Sequence, residues 1–339
     1  MNPSLSVKIA WLYELLNGSA GMTLEDIQNA YSRAKDISDG RTLSDRTFHY
    51  WKNHISKLYG AEVKSKRLGP GYYLYSIEHE DEPVSKWLCD TMAMQNAISG
   101  NIIIRDRILL EDVPNSKFLN PVLQAIKNCH VIEFTYNDYW DEEEHLLIKP
   151  LFVKMFRQRW HVIGPLYNPD AKPQRMVLRL PPSESDTIRS YAIDDRMKEL
   201  KVTNIEFAYP ELFDPKDYFS NNFSTLKFPE SHLKTEFIRI LVWENKNFYY
   251  RSVPIHPSQK EIYTSPTDGF SIFEYYLQPT IDFIQELRSH GNEIEVLSPK
   301  WLREQFISDI NDMAKAYQGF DRSTLKTPLP PCIAELMCP

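Results

Sequence analysis

The stretch from Arg41 to Tyr75 admits few folds, because an amphipathic helix runs directly into a glycine-kinked hairpin. Phe48, Trp51, Ile55 and Leu58 recur at spacings of three, four and three, which predicts one buried helical stripe. At about 100° per residue, Arg46, His49, Tyr50, Asn53 and Lys57 fall on the opposite face. Those side chains hydrogen-bond base edges and phosphates. Lys64, Lys66 and Arg67 follow at once, ahead of a turn at Gly69-Pro70-Gly71. The pattern predicts a DNA-reading helix with a basic wing.

The chain as a whole is acidic, with a net charge of −7. Between Arg41 and Arg67, however, seven basic residues meet only two acids, Asp45 and Glu62. Phosphate contact and counterion release depend on such a local patch rather than on the total. An acidic remainder limits unspecific adhesion to DNA.

A length of 339 residues predicts two or three domains, and a 42% hydrophobic content excludes wholesale disorder. No run of eighteen apolar residues occurs and no signal sequence opens the chain, so a cytoplasmic protein without membrane contact is expected. Cys89, Cys129, Cys332 and Cys338 form no CxxC pair, which argues against zinc or a disulfide framework. No phosphate-binding glycine loop, HExxH or GxSxG occurs, so neither catalysis nor a cofactor or metal is expected.

Ahead of the DNA-reading segment, Leu5, Ile9, Leu12 and Leu16 share one helical face, and that helix ends near Gly18. A second helix starts at Thr23, where Asp26 completes a capping box, and buries Leu24, Ile27 and Tyr31. A polar loop runs through Gly40, and Ser44 is the expected N-cap of the third helix. Three short helices and a hairpin predict a winged helix-turn-helix over residues 1–78. Residues 79–128 read as a bridge, with helices at Val84 to Ser99 and Phe118 to Asn128 around an apolar segment at Ile102 to Leu110.

Strand patterns dominate residues 129–210. Ile132, Phe134 and Tyr136 alternate with polar residues; LLIKPLFV, RQRWHVIG and QRMVLRL follow. In RQRWHVI, Trp160 and Val162 share one face, and Arg157, Arg159 and His161 the other. In QRMVLRL, Arg175 and Arg179 oppose Met176, Leu178 and Leu180. If these strands neighbour each other, their cationic faces merge into an anion pocket; otherwise they are the solvated outside of a small barrel. Residues 211–232 read as a linker. From 233 to 320 the order is strand (FIRILVW), a middle section, strand (FSIFEYYL), helix (Thr280 to His290), strand (EIEVL) and helix (Pro299 to Tyr317). That order predicts a ferredoxin-like α+β sandwich. Ser298 is the expected cap of the last helix, whose stripe of Leu302, Phe306, Ile310, Met313 and Tyr317 is expected on the sheet. Residues 321–339 read as a loose, proline-rich tail.

This layout resembles the WYL-domain transcriptional regulators, a bacterial family. Thr47-Phe48-His49-Tyr50-Trp51 and Gly71-Tyr72-Tyr73-Leu74 stand where that family has TIxRD-like and GYYL segments. Pro150-Leu151 precedes the signature strand, whose tripeptide is here Trp160-His161-Val162. Arg189 to Met197 is similar to the family's RTFxLDRI segment with one extra aspartate. Ser258-Gln259 and Ile294 to Arg303 match motifs of its C-terminal WCX extension. The resemblance implies an α+β multidomain protein: winged helix-turn-helix, Sm-like WYL barrel and ferredoxin-like WCX extension. It adds Thr47 to the DNA-contacting set, and Arg189 and Arg196 to a ligand set of Tyr136, Arg157, Arg159, Trp160, His161, Arg175 and Arg179.

The function this implies is a homodimeric, ligand-responsive regulator, expected to repress, on a double-stranded operator. Its ligand would be a nucleotide-like or nucleic-acid anion. The alternative is an accessory protein that binds single strands or modulates a partner, with Trp160 beside Arg159 and Tyr191 beside Arg189 stacking bases.

Overall fold

The computed structural model describes residues 5–17, 19–59, 61–79, isolated positions between 84 and 109, 116–138, 142–170, 177–180 and 187–319. The chain forms two compact units, Met1–Glu111 and Asp112–Pro339, each mixing helices with small antiparallel sheets.

In the first unit, α1 (Leu5–Asn17), α2 (Leu24–Arg33), α3 (Lys35–Ser38) and α4 (Asp45–Tyr59) pack with β1 (Met22–Thr23), β2 (Ala61–Gly69) and β3 (Tyr72–His79). The sheet order is β1-β3-β2, so the hairpin gains its third strand from the residues leading into α2. Thr23 and Asp26 close the expected capping box: the Thr23 hydroxyl accepts from Asp26 N at 3.2 Å, and Thr23 N donates to the Asp26 carboxylate. Ile9, Leu12, Leu16, Ile27, Tyr31, Phe48, Trp51 and Ile55 meet Val63 and Tyr75 in one core. Leu5 departs from its expected stripe and is exposed, one turn before the core begins. The supposed polar loop contains α3, which buries Ser38 and closes through Asp39 and Gly40 at φ of 52° and 74°.

Of the predicted Val84 to Ser99 helix, the described positions are helical; Ile102 to Leu110 lies mostly outside the described residues, as does the 321–339 tail.

The second unit starts with α5 (Leu119–Asn128), which the sequence placed in the bridge. It buries Val122 and Ala125 in the core of β4 (His130–Asn137), β5 (Glu143–Ile148), β6 (Phe152–Phe156), β7 (Arg159–Gly164), β8 (Arg189–Ala192) and β9 (Met197–Glu206). Two sheets, β5-β4-β9 and β6-β7-β8, share that core. LLIKPLFV is two strands rather than one. Pro150 cannot donate to a ladder, and here the chain changes sheets. At this corner Leu151 N donates to the Ile163 carbonyl, and a Cβ on Gly164 would stand 2.0 Å from the Lys149 carbonyl oxygen.

The predicted strand QRMVLRL is not the neighbour of β7. β6 and β8 occupy both its edges, and the described part of that segment, residues 177–180, holds one isolated bridge, from Val177 to Pro210. Arg175 lies outside the described residues, and Arg179 is exposed on a bend. The two cationic faces therefore do not merge.

After α6 (Pro215–Tyr218) come β10 (Glu236–Trp243), α7 (Glu244–Ser252), β11 (Lys260–Thr264), β12 (Phe270–Leu277), α8 (Ile281–Arg288), β13 (Ile294–Ser298) and α9 (Lys300–Gly319). The sheet is antiparallel throughout, in the order β11-β12-β10-β13. Ile238, Ile240, Val242, Phe273 and Tyr275 face Tyr250 of α7, Phe283 and Leu287 of α8, and Leu302 of α9. Ser298 ends β13, pairing with Arg239, so the first carbonyl serving α9 is that of Pro299 instead. The stripe on α9 packs only at its start. Ile310, Met313 and Tyr317 are 59%, 61% and 88% exposed, because the helix extends beyond the sheet. Among the described residues, no helix is long and apolar enough to cross a membrane, and no group of three or more His, Cys, Asp or Glu residues could hold a metal ion.

Candidate functional site

The start of α4 is fixed by three contacts. The Ser44 hydroxyl accepts from Thr47 N at 3.2 Å, which satisfies one orphan donor of the first turn. Gln28 Nε2 of α2 donates to the Leu43 carbonyl at 3.0 Å and to Asp45 Oδ1 at 2.9 Å. The helix is thereby set against α2, and Phe48, Trp51 and Ile55 turn inward. Leu58, the fourth member of the predicted stripe, has a side chain outside the described set.

Arg46, His49, Tyr50, Asn53 and Lys57 are all exposed on the other side of α4. Thr47 is half-buried, and its hydroxyl lies 2.8 Å from that of Ser44, so it serves the cap. Tyr50 stacks at 4.1 Å on His54, whose Nδ1 approaches the Tyr50 carbonyl at 2.9 Å. Lys52 leaves this face and lies 5.6 Å over the Tyr75 ring. On the hairpin, Val63 and Tyr75 point into the core while Lys64, Lys66 and Arg67 are exposed. Gly71, at a φ of 82°, makes the turn between the strands. One helix face and the adjoining hairpin thus present donors and positive charge, the arrangement that groove and phosphate contacts use.

The predicted ligand residues divide into several groups. Arg159, His161, Tyr136 and Arg196 come together around Asp194, a residue the sequence did not single out. Arg196 binds Asp194 with Nη2 to Oδ2 at 3.0 Å and Nε 3.2 Å from both oxygens; Arg159 Nη1 lies 3.9 Å from Oδ2. Burial alone would raise the Asp194 carboxyl, but the hydrogen bonds and charge of Arg196, with Arg159, hold it below the usual range. Arg196 also lies 5.6 Å over the Tyr136 ring, and the Tyr136 hydroxyl accepts from Ala192 N at 3.1 Å. Burial holds the His161 ring below the usual histidine range; the backbone hydrogen bond with Arg159 and the charge of Asp194 oppose this, and the charges of Arg196 and Arg159 add to it. The His161 Nδ1 lies 3.2 Å from the Arg159 carbonyl. Trp160 sides with the core shared by the two sheets, as its alternation with His161 requires.

Arg157 is not on the strand face. It and Gln158 form the β6–β7 turn with φ of 47° and 63°, the positive-φ pair of a primed hairpin turn, and Arg157 Nη2 binds Glu286 of α8 at 2.6 Å. Arg189 sits at the far end of β8, opposite Gly164. The sequence offered one signal for Asp194: an aspartate two residues before an arginine in a turn, a spacing that folds back readily.

Residues 117–202 match the WYL domain and residues 249–314 match the WCX domain. This is a WYL-domain protein. The Arg159–His161–Arg196 cluster lies within its WYL domain, and the WCX match spans Ser258 and Gln259. Those two residues brace the sheet: Gln259 Nε2 donates to the Tyr250 carbonyl at 2.6 Å, its Oε1 accepts from Tyr275 at 3.0 Å, and Ser258 Oγ accepts from Tyr276 N at 3.0 Å.

Among solved structures, the chain is similar to proteasome accessory factor B/C (PafBC) of Arthrobacter aurescens, with 16% identity and a TM-score of 0.37 over 96% of this chain and 47% of that one. It is also similar to a CRISPR Cas-related protein, with 14% identity and a TM-score of 0.39 over 92% of this chain and 84% of that one. The chain spans about half the length of the first. A comparison with curated proteins found no match.

Proposed function

We propose that this WYL-domain protein is a DNA-binding transcriptional regulator whose first unit is a winged helix-turn-helix, with α4 as recognition helix and β2–β3 as wing. The exposed face of α4, carrying Arg46, His49, Tyr50, Asn53 and Lys57 beside Lys64, Lys66 and Arg67, is the observation that carries this reading. The two barrel sheets on one core fit an Sm-like fold. The strand–helix–strand–strand–helix–strand order with β10 and β12 central fits a ferredoxin-like one. The protein acts as a homodimer on paired half-sites and represses.

In this reading a nucleotide-like anion binds at Arg159, His161 and Arg196 by taking over the partners that Asp194 now occupies. Binding must favour one domain arrangement over another to reach the operator. A gel-shift series on DNA upstream of the protein's own gene tests the first step. Arg46→Ala with Lys57→Ala abolishes the shift while the fold survives; unchanged affinity would overturn the assignment of α4.

A second reading, single-strand binding, draws on the outer face of the C-terminal sheet. There Phe237 and Tyr276 stack at 4.7 Å, and Trp243 and Phe270 meet at 5.9 Å. That face is charge-balanced, with Arg239 on Glu274 at 2.8 Å, and it lacks the basic track that such binding uses. Comparing affinity for duplex and single-stranded forms of the same sequence separates the two.

A further inference from the structure

A cleft of about 750 Å³ opens between the β7–β8 end of the WYL barrel and the segment 218–233 that leads to the C-terminal sheet. Its volume is that of a small-molecule site. Ile163, Ile188, Phe219, Leu226 and Phe228 give it apolar walls. Its charged lining side chains, Arg189 and Lys227, are both cationic, with His232 beside them and no carboxylate among the lining residues. Burial draws the Lys227 ammonium below the usual lysine range, and Glu230 offsets this only in part. Lys227 lies 4.1 Å over the Tyr218 ring and donates to the Tyr218 carbonyl. An incoming anion would add to the partial counter-charge that Glu230 gives this partly dehydrated ammonium.

The outer wall is held in place. Gln278, fully buried at the end of β12, accepts from Phe228 N at 3.1 Å and donates to the carbonyls of Phe228 at 2.7 Å and Leu233 at 2.9 Å. Arg189 pairs with Gly164, five residues along β7 from Arg159, which places the cleft about 16 Å along the strand from the Arg159 end at ~3.3 Å per residue. The cleft is therefore distinct from the cluster around Asp194.

We propose that this cleft binds a small organic anion with an apolar body, a carboxylate, sulfonate or phosphate ester on a ring or chain. The charge lies on Arg189 and Lys227, and the body packs against Ile163, Ile188 and Phe219. Because one wall is barrel and the other is clamped to β12, the ligand bridges the WYL domain and the C-terminal sheet.

Two fluorescent probes of one skeleton test this on the full chain: 1-anilinonaphthalene-8-sulfonate, and N-phenyl-1-naphthylamine, which lacks the sulfonate. The sulfonate probe is expected to saturate at one per chain and to bind at least tenfold tighter than the neutral one. Arg189→Gln with Lys227→Gln is expected to lower its affinity at least tenfold and leave the neutral probe unchanged, and Lys227→Glu alone to act in the same direction. Phe237→Ser, on the exposed outer sheet face, is expected to leave binding unaltered. Equal affinity for the two probes overturns the proposal. So does unchanged sulfonate binding in the charge variants with native circular dichroism, or loss of binding in Phe237→Ser. Operator binding is not read in this titration, so its failure leaves the DNA assignment standing.

Discussion

Asp194 and Arg196, two residues apart on the turn that leaves β8, form a bidentate carboxylate–guanidinium pair with Nη2 to Oδ2 at 3.0 Å and Nε 3.2 Å from both oxygens. Arg196 N also donates to Asp194 Oδ1 at 3.0 Å, so one carboxylate organises both the turn and the guanidinium. The Asp194 side chain is 10% exposed, which makes the pair sensitive to loss of either partner. Asp194→Asn is expected to cost about 1–3 kcal/mol at neutral pH. Because the folded carboxyl is held below its ordinary value, its contribution is complete above the unfolded value, about 4, and disappears as pH falls through the folded one. Urea unfolding at pH 7 and pH 3 should therefore show the gap between wild type and variant narrowing in acid. A constant gap would mean that the charge of Asp194 contributes nothing.

If α4 reads DNA as proposed, the hairpin and α4 should differ in what they contribute. Lys64, Lys66 and Arg67 offer charge without base-reading geometry, whereas Asn53 can make paired hydrogen bonds to a base edge. Replacing the three hairpin cations by alanine is expected to weaken all DNA sequences alike and to flatten the salt dependence by about 0.9 per lost phosphate contact. Asn53→Ala is expected instead to leave that slope unchanged and relax preference at one base pair, by about 1–3 kcal/mol. Binding measured from 50 to 200 mM salt on matched and mismatched duplexes decides between them.

The first unit was largely legible because its signals are local. A capping box at Thr23, a 3-4-3 apolar spacing in α4 and a Gly-Pro-Gly turn each specify geometry within a few residues. Alternation also placed Trp160 and Val162 inward on β7 correctly. It could not name the neighbours of β7, since pairing is a long-range choice: the four-residue β8 carries little pattern, while QRMVLRL looks more like a strand. ENKNFYYRS has no apolar stripe, so α7 was hidden in the middle section. The α9 stripe shows the converse, for a periodic face reveals what could be buried but not what is there to cover it. Sequence reasoning passed over Asp194, Lys227 and His232, which line the candidate cluster and the proposed cleft, because they stand in turns and connections without periodicity.

Gly164 packs against the corner where the chain passes from the β5 sheet to the β6 sheet. A methyl group there would stand 2.0 Å from the Lys149 carbonyl oxygen and 2.9 Å from its carbon, and both are backbone atoms that cannot rotate away. Gly164→Ala is expected to lose about 3 kcal/mol, the upper part of the range for overpacking, because the contact is with rigid backbone. A thermal melt within a degree of wild type would show that the corner yields.

Gln278 satisfies several groups at once, taking Asn222 Nδ2 at 3.2 Å and Phe228 N on its oxygen while its nitrogen reaches the Phe228 and Leu233 carbonyls. Gln278→Leu would keep the volume and strand those partners. The expected loss is about 3 kcal/mol, with faster amide exchange at Phe228. Unaltered exchange there would show that the segment 222–233 is held by something else.

His256 should make the second unit acid-sensitive. It is buried, its Nδ1 accepts from Ser258 N at 3.1 Å, and Ser258 Oγ lies 2.8 Å away. Burial, then the nearby Lys154 ammonium, pulls the ring down to about 4, against a weaker opposing backbone hydrogen bond with Asn222. Lys154 is itself lowered to about 8 by burial and donates to the Ser224 carbonyl at 2.7 Å, so it stays charged at neutral pH and repels a protonated His256. A folded histidine value below the unfolded one means that the unfolded chain takes up the proton first. Stability is then complete above pH ~6.5 and falls as pH drops from there towards 4, by about 3 kcal/mol in all. His256→Gln keeps an acceptor without a titrating ring, and it is expected to flatten the curve between pH 6.5 and 4.5 even if it lowers the plateau. The measurement is denaturant midpoint against pH for both proteins; parallel curves would assign the acid sensitivity to other groups.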